Sequence, residues 1–114
     1  TEVAIAPYAP GDLRPFFRPP NGGQDAEVRA AVGAAGYRYT VTWDVDTIDW
    51  RPIKNDPPGP TADQIVAKVL DRAQGGSIVL MHLGGYETYE ALPRIVSGLR
   101  DQGYALVTLA ELLR

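Results

Sequence analysis

"GGSIVLMH", Gly75 to His82, decides how the rest of the chain is read. Ser77 to Met81 is a continuous apolar run with glycines before it, and it does not alternate. A strand with one wet face alternates; an unbroken run of this length fits a strand covered on both faces, as in a parallel sheet. The chain's single histidine follows directly.

Working outward, Thr61 with Gln64 three residues on has the form of a capping box. Ile65, Val66, Val69 and Leu70 then make one apolar helix face, ending at Gly75-Gly76. Downstream, Leu92, Ile95, Val96 and Leu99 form a second such face, closed by Gly103. "YALVT", Tyr104 to Thr108, reads as a last strand, and Thr108 with Glu111 repeats the capping pattern for a short final helix. Toward the start, the prolines of "RPIKNDPPGP", Arg51 to Pro60, mark a loop. "YRYTVTW", Tyr37 to Trp43, is aromatic and β-branched and fits a strand. "AEVRAAVGAAG" is helical up to Gly36, a residue type that suits a left-handed cap, and Phe16-Phe17 lie in a short strand.

The pattern is strand and helix in alternation, which makes the fold class α/β with parallel strands and right-handed crossovers. An open doubly wound sheet and part of a closed barrel both satisfy it. Four parallel strands are half of a common eight-stranded barrel and would leave two bare edges, so further strands are expected to complete the sheet.

Composition narrows the function classes. The chain has 114 residues, 45% of them hydrophobic, which suits one globular domain. A net charge of -3, with Lys and Arg scattered singly, argues against a nucleic-acid partner. The absence of cysteine excludes disulfides and thiolate metal sites. No apolar run approaches the roughly 20 residues of a transmembrane helix. "TEVAIAPYAP" opens without methionine and looks like the tail of an element already under way, so the chain is expected to be part of something longer.

In parallel α/β folds, ligands gather at the carboxyl ends of the strands. Arg18 follows the first expected strand, "WDVDTIDW" the second and His82 the third. A lone histidine there can be purely structural, its ring satisfied by a nearby carbonyl. With a carboxylate beside it, it is a candidate general acid near neutral pH. Asp44, Asp46 and Asp49 are the possible partners; an oxygen cage or a solvated acidic turn is the plainer reading of the same three. The run is too short for an EF-hand loop. "FFRPPNGGQD" fixes Arg18 before a rigid, tight loop, although such loops can be plain turns.

"FFRPPNG", "WDVDTIDW" and "SIVLMH", in that order, closely resemble the third to fifth motifs of the polysaccharide deacetylase family, the NodB-homology carbohydrate esterases. "ALPRIVSGLRDQGYALVTLAELL" is similar to that family's usual ending. The resemblance runs from about Pro15 onward. It implies the C-terminal part of a distorted (β/α) TIM-like barrel that removes N-acetyl or O-acetyl groups from a cell-wall or structural polysaccharide such as peptidoglycan, chitin or xylan. Residues 1–114 would be the C-terminal portion of one such domain. Zinc or another divalent metal, bound by an Asp and two His, and an aspartate base would come from a preceding half, leaving no metal ligand here and this chain alone inactive. The expected partners are that N-terminal half and an acetylated polysaccharide or oligosaccharide, in an extracellular or cell-envelope location.

Position by position, the resemblance makes Arg18 the arginine that orients the base. Asn21 replaces a common aromatic, and its backbone N-H would serve the oxyanion. Asp49 would hold the catalytic His82, which protonates the leaving amine or alcohol. Trp50, Leu80 and Pro20 would be substrate-groove residues, Leu80 against the acetyl methyl. Leu83 stands where many members have Asp, and Arg51 to Pro60 is longer than usual. Two other readings remain: a non-catalytic deacetylase-like carbohydrate-binding protein, and a free-standing α/β module that uses "PPNGG" and the following helix to bind an anion.

Overall fold

The structure, a computed structural model, describes residues 2–8 and 11–114. The chain divides into two compact units, residues 1–42 and 43–114.

In the first unit, helix α1 (Glu2–Ile5) precedes strand β1 (Phe16–Phe17). Helix α2 (Ala26–Ala34) and strand β2 (Tyr39–Thr40) follow. Aromatic side chains pack where the strands meet: β1 pairs parallel with β2, Phe16 opposite Tyr39, and those two rings stack with centroids 5.5 Å apart. Asp25 caps α2, its side chain accepting the Val28 N-H at 2.8 Å. The helix ends as expected near Gly36, which has φ +90. A Cβ there would also press on the Arg14 side chain, 2.9 Å from its Nε, which donates to the Ala35 carbonyl.

The second unit holds strand β3 (Val45–Asp46), helix α3 (Ala62–Arg72), strand β4 (Val79–Leu80) and helices α4 (Thr88–Asp101) and α5 (Leu109–Leu112). Both expected capping boxes form: Thr61 with Gln64 starts α3, and Thr108 with Glu111 starts α5. Strand β3 pairs parallel with β4, placing Val45 opposite Val79 and Asp46 opposite Leu80. Asp44 secures the start of this pair by accepting the Ser77 hydroxyl and, at 2.6 Å, the Ile78 N-H. The core forms because the apolar faces read from the sequence meet: Ile65, Val66 and Val69 of α3 pack with Ala91, Ile95 and Leu99 of α4 over Val45. Val79 and Met81 join this cluster.

The α/β class and the parallel pairing are as expected, but the elements differ in three ways. The strand expected over Tyr37 to Trp43 shortens to β2. The acidic run begins with its own strand, β3, so β2 and β3 follow one another with no helix between. "YALVT" forms no strand; Leu106 and Val107 are half-exposed. Its residues have the right character, but a strand needs a neighbour for its N-H and C=O groups, and β4 pairs only with β3 among the described residues. Among the described residues the four short strands pair as two two-stranded parallel sheets, β1-β2 and β3-β4.

Candidate active site

The pair at the heart of the second unit follows from strand register. Asp46 lies opposite Leu80, so the carboxyl ends of β3 and β4 emerge side by side. Asp46 then accepts the Ile48 N-H at 2.9 Å, and Ile48 takes φ +59, a conformation rare for a β-branched residue. This turn brings Asp49 against His82.

Asp49 is 1% exposed and fully committed. Its Oδ1 lies 2.7 Å from His82 Nδ1, while Oδ2 accepts the His82 backbone N-H at 2.8 Å and the Thr88 hydroxyl. Burial pushes the carboxyl's pKa up, but the Thr88 hydroxyl, the His82 N-H and the His82 ring together outweigh it and hold it below its ordinary value of 3.8. Asp49 is therefore the ionised member at neutral pH. A carboxylate can only accept, so Nδ1 donates. Nε2 is left as the ring's working nitrogen, on a side chain about a third exposed. That arrangement can deliver a proton to a group at Nε2 while the carboxylate stabilises the charged ring.

Of the three acids in "WDVDTIDW", the structure chooses Asp49. Asp44 spends its carboxylate on Ser77 and Ile78, and Asp46 spends Oδ1 on Ile48. Leu80 has the side of the strand opposite to Val79 and Met81, which face the helices, and is itself buried, its carbonyl accepting the Thr47 hydroxyl at 2.9 Å. Trp50 is half-exposed beside Asp49, with the Arg51 guanidinium 5.3 Å above its ring. Leu83 is fully exposed.

Arg18, Pro20 and Asn21 belong to the first unit, and all three are exposed. Pro20 to Gly22 make one 3-10 turn, in which Asn21 adopts φ 54, ψ 18. Asparagine tolerates this left-handed conformation better than an aromatic would. Gly22 and Gly23 donate to the Pro19 and Pro20 carbonyls, each at 3.1 Å.

Among the described residues, no three His, Asp or Glu side chains are grouped to hold a metal ion. The donor set present does not fit one: the single imidazole and Asp49 already satisfy each other. Sequence reasoning missed Thr88 and Gly85. The available signal was a threonine three residues after a Gly-Gly pair that itself closely follows the histidine strand.

These features define an α/β protein with a carboxylate-held histidine at the carboxyl ends of parallel strands. No family model matches the chain. Over 102 residues it is 40% identical to a peptidoglycan-N-acetylglucosamine deacetylase of Bacillus cereus, covering 87% of this chain and 45% of that one. It is 39% identical over 89 residues to a bifunctional xylanase/xylan deacetylase of Cellvibrio japonicus, covering 77% and 12%. Among solved structures, a CE4 family pseudoenzyme from Bacillus anthracis matches with a TM-score of 0.83 at 32% identity, covering 99% of this chain and 37% of that one. The chain belongs with the polysaccharide deacetylases, the family 4 carbohydrate esterases, and spans less than half the length of these relatives.

Proposed function

We propose that this chain carries the general acid of a polysaccharide deacetylase that hydrolyses N-acetyl or O-acetyl groups of a polymer such as peptidoglycan, chitin or xylan. The observation that carries this reading is the buried Asp49 carboxylate 2.7 Å from His82 Nδ1, which leaves Nε2 free to act. Water gives one proton to the base and adds its oxygen to the acetyl carbonyl carbon. As the resulting tetrahedral species collapses, the C-N or C-O bond breaks, His82 gives its Nε2 proton to the departing amine or alcohol, and acetate leaves. The Asn21 N-H is a donor for the oxyanion, Arg18 orients the base, and Trp50, Leu80 and Pro20 shape the acetyl and sugar subsites.

The base, and an Asp-His-His set for zinc or another divalent metal, belong to a preceding portion of the same domain. The relatives' greater length supports this, and the 114 residues alone would then be inactive. A polymer substrate fits an extracellular or cell-envelope location. No helix among the described residues is long and apolar enough to cross a membrane.

The test is acetate release from chito-oligosaccharides and acetylated xylan by the full-length protein and its His82→Ala variant. Loss of most turnover is expected, and a fully active variant would end this reading. A second reading, a carbohydrate-binding protein without catalysis, is favoured by the likeness to a pseudoenzyme. Polymer binding with no acetate release by the unaltered protein would select it.

A further inference from the structure

A buried carboxylate can turn about its last side-chain bond and offer either oxygen to a neighbouring ring, because that torsion is broad. Asp49 has lost this freedom. Its Oδ2 accepts both the Thr88 hydroxyl and the His82 N-H, so Oδ1 alone faces His82 Nδ1. Thr88 is the first residue of α4, whose Ala91, Ile95 and Leu99 lie in the core. The hydroxyl is thus presented by a rigid element.

A threonine at a helix start ordinarily caps the helix with its oxygen. Here that use is given up. Glu87 occupies the cap position and makes no cap bond; its Oε2 accepts the Ala62 N-H at 3.3 Å, at the start of α3. The Thr88 oxygen points to Asp49 instead. Gly85 makes the approach possible. A Cβ at Gly85 would lie 2.6 Å from Asp49 Oδ2 and would collide with Thr88 Oγ1 as well. The segment is held over the carboxylate by Gly85 N-H to the His82 carbonyl at 3.1 Å and Tyr86 N-H to the Asp49 carbonyl at 2.9 Å.

We propose that Thr88 is a positioning residue for His82: its hydroxyl fixes the plane of the Asp49 carboxylate, so that one oxygen stays in line with the ring's Nδ1 and keeps the proton on that nitrogen. Gly85 is the space that this contact requires. The catalytic meaning of this role rests on His82 being the general acid.

His82 is the only histidine of the chain, so its ring ¹⁵N resonances report its tautomer without ambiguity. In the unaltered 114-residue chain, a solvent-protected Nδ1-H resonance is expected. Thr88→Val keeps shape and removes the hydroxyl, and should lose that protection. Thr88→Ser keeps the hydroxyl and should retain it, and Gly85→Ala should behave like Thr88→Val. Thermal unfolding of each variant separates loss of fold from loss of aim. In the full-length protein, Thr88→Val should lower kcat about ten- to a hundredfold, the worth of one hydrogen bond to a charged group, with KM little changed and activity restored by Ser.

A folded Thr88→Val with an unchanged Nδ1-H resonance overturns the proposal. So does a folded Thr88→Ser that lacks the resonance, whatever Val does. If the unaltered full-length protein releases no acetate while Thr88→Val still loses the resonance, the deacetylase reading falls and the positioning role stands.

Discussion

Asp49→Asn removes one charge from a buried position. The carboxylate accepts three hydrogen bonds: from Thr88, from the His82 N-H and from the His82 ring. An asparagine amide has one accepting oxygen. If that oxygen keeps the Thr88 and His82 N-H donors, the amide NH₂ faces Nδ1 and the ring must give up its Nδ1 proton. One hydrogen bond to a charged acceptor is lost, worth about 1.5–3 kcal/mol. The other two weaken, since charge-assisted bonds are roughly twice as strong as neutral ones, while the cost of burying the charge is relieved. The depressed pKa of Asp49 states which side wins, so the net effect is destabilising.

The pH dependence follows from the same shift. A carboxyl of ordinary pKa 3.8 that is lower when folded stabilises the fold fully above that value and loses its contribution as pH falls through the folded pKa. Urea unfolding of the 114-residue chain and the variant at pH 5 and pH 3 reads this directly. The gap should be on the order of 2 kcal/mol at pH 5 and clearly narrower at pH 3. A gap below about 0.5 kcal/mol at pH 5, or one that does not shrink toward pH 3, would refute the reasoning.

Four further outcomes are expected. Ile48→Pro forces φ to about -65° and removes the N-H that binds Asp46, so it should destabilise by more than about 1 kcal/mol and abolish the protected His82 ring resonance. Ile65→Ala empties a fully buried position between α3 and α4 and should cost about 2–5 kcal/mol, measured by urea unfolding. Thr61→Ala breaks the α3 capping box and should cost about 1 kcal/mol, with Thr61→Ser largely neutral. At Asn21, φ 54 makes Ala unfavourable by about 1 kcal/mol and Gly acceptable; the same Asn21→Ala should chiefly weaken substrate binding in the full-length protein, since its backbone donor remains.

What could be read from the sequence was what depends on near neighbours. Thr61 and Gln64 predict a helix start because both halves of the box lie within four residues, and Gly36 and Gly103 mark helix ends for the same local reason. Ile65 and Val69, and Ile95 and Leu99, predict buried faces because helical spacing puts them together. "YALVT" shows where such reading stops: β propensity says what a strand would look like, and pairing depends on a neighbour elsewhere in the chain. Composition alone did not select among Asp44, Asp46 and Asp49; that choice turns on the left-handed backbone at Ile48, which no residue type announces. Thr88 was hidden because its position looks like an ordinary helix cap.

The strained Ile48 turn has a geometric reason. In β3 and β4 the facing residues Val45 and Val79 both join the helix-packed core, so strict alternation would send odd-numbered side chains toward the helices and even-numbered ones to the other side. His82 is even and Asp49 is odd. Two straight strands would therefore aim the acid and the imidazole to opposite faces, however well they were aligned. A positive φ at Ile48 breaks the alternation between Thr47 and Asp49, and the Asp46 side chain and the Arg51 N-H to Ile48 carbonyl bond at 3.1 Å hold it there. Such a conformation costs about 1–3 kcal/mol and persists where its surroundings over-determine it. The compensating interactions are the three hydrogen bonds that Asp49 accepts. Strain at Ile48, the vacancy at Gly85 and the diverted hydroxyl of Thr88 are thus three parts of one arrangement, which places an ionised carboxylate under one nitrogen of a histidine and leaves the other to act.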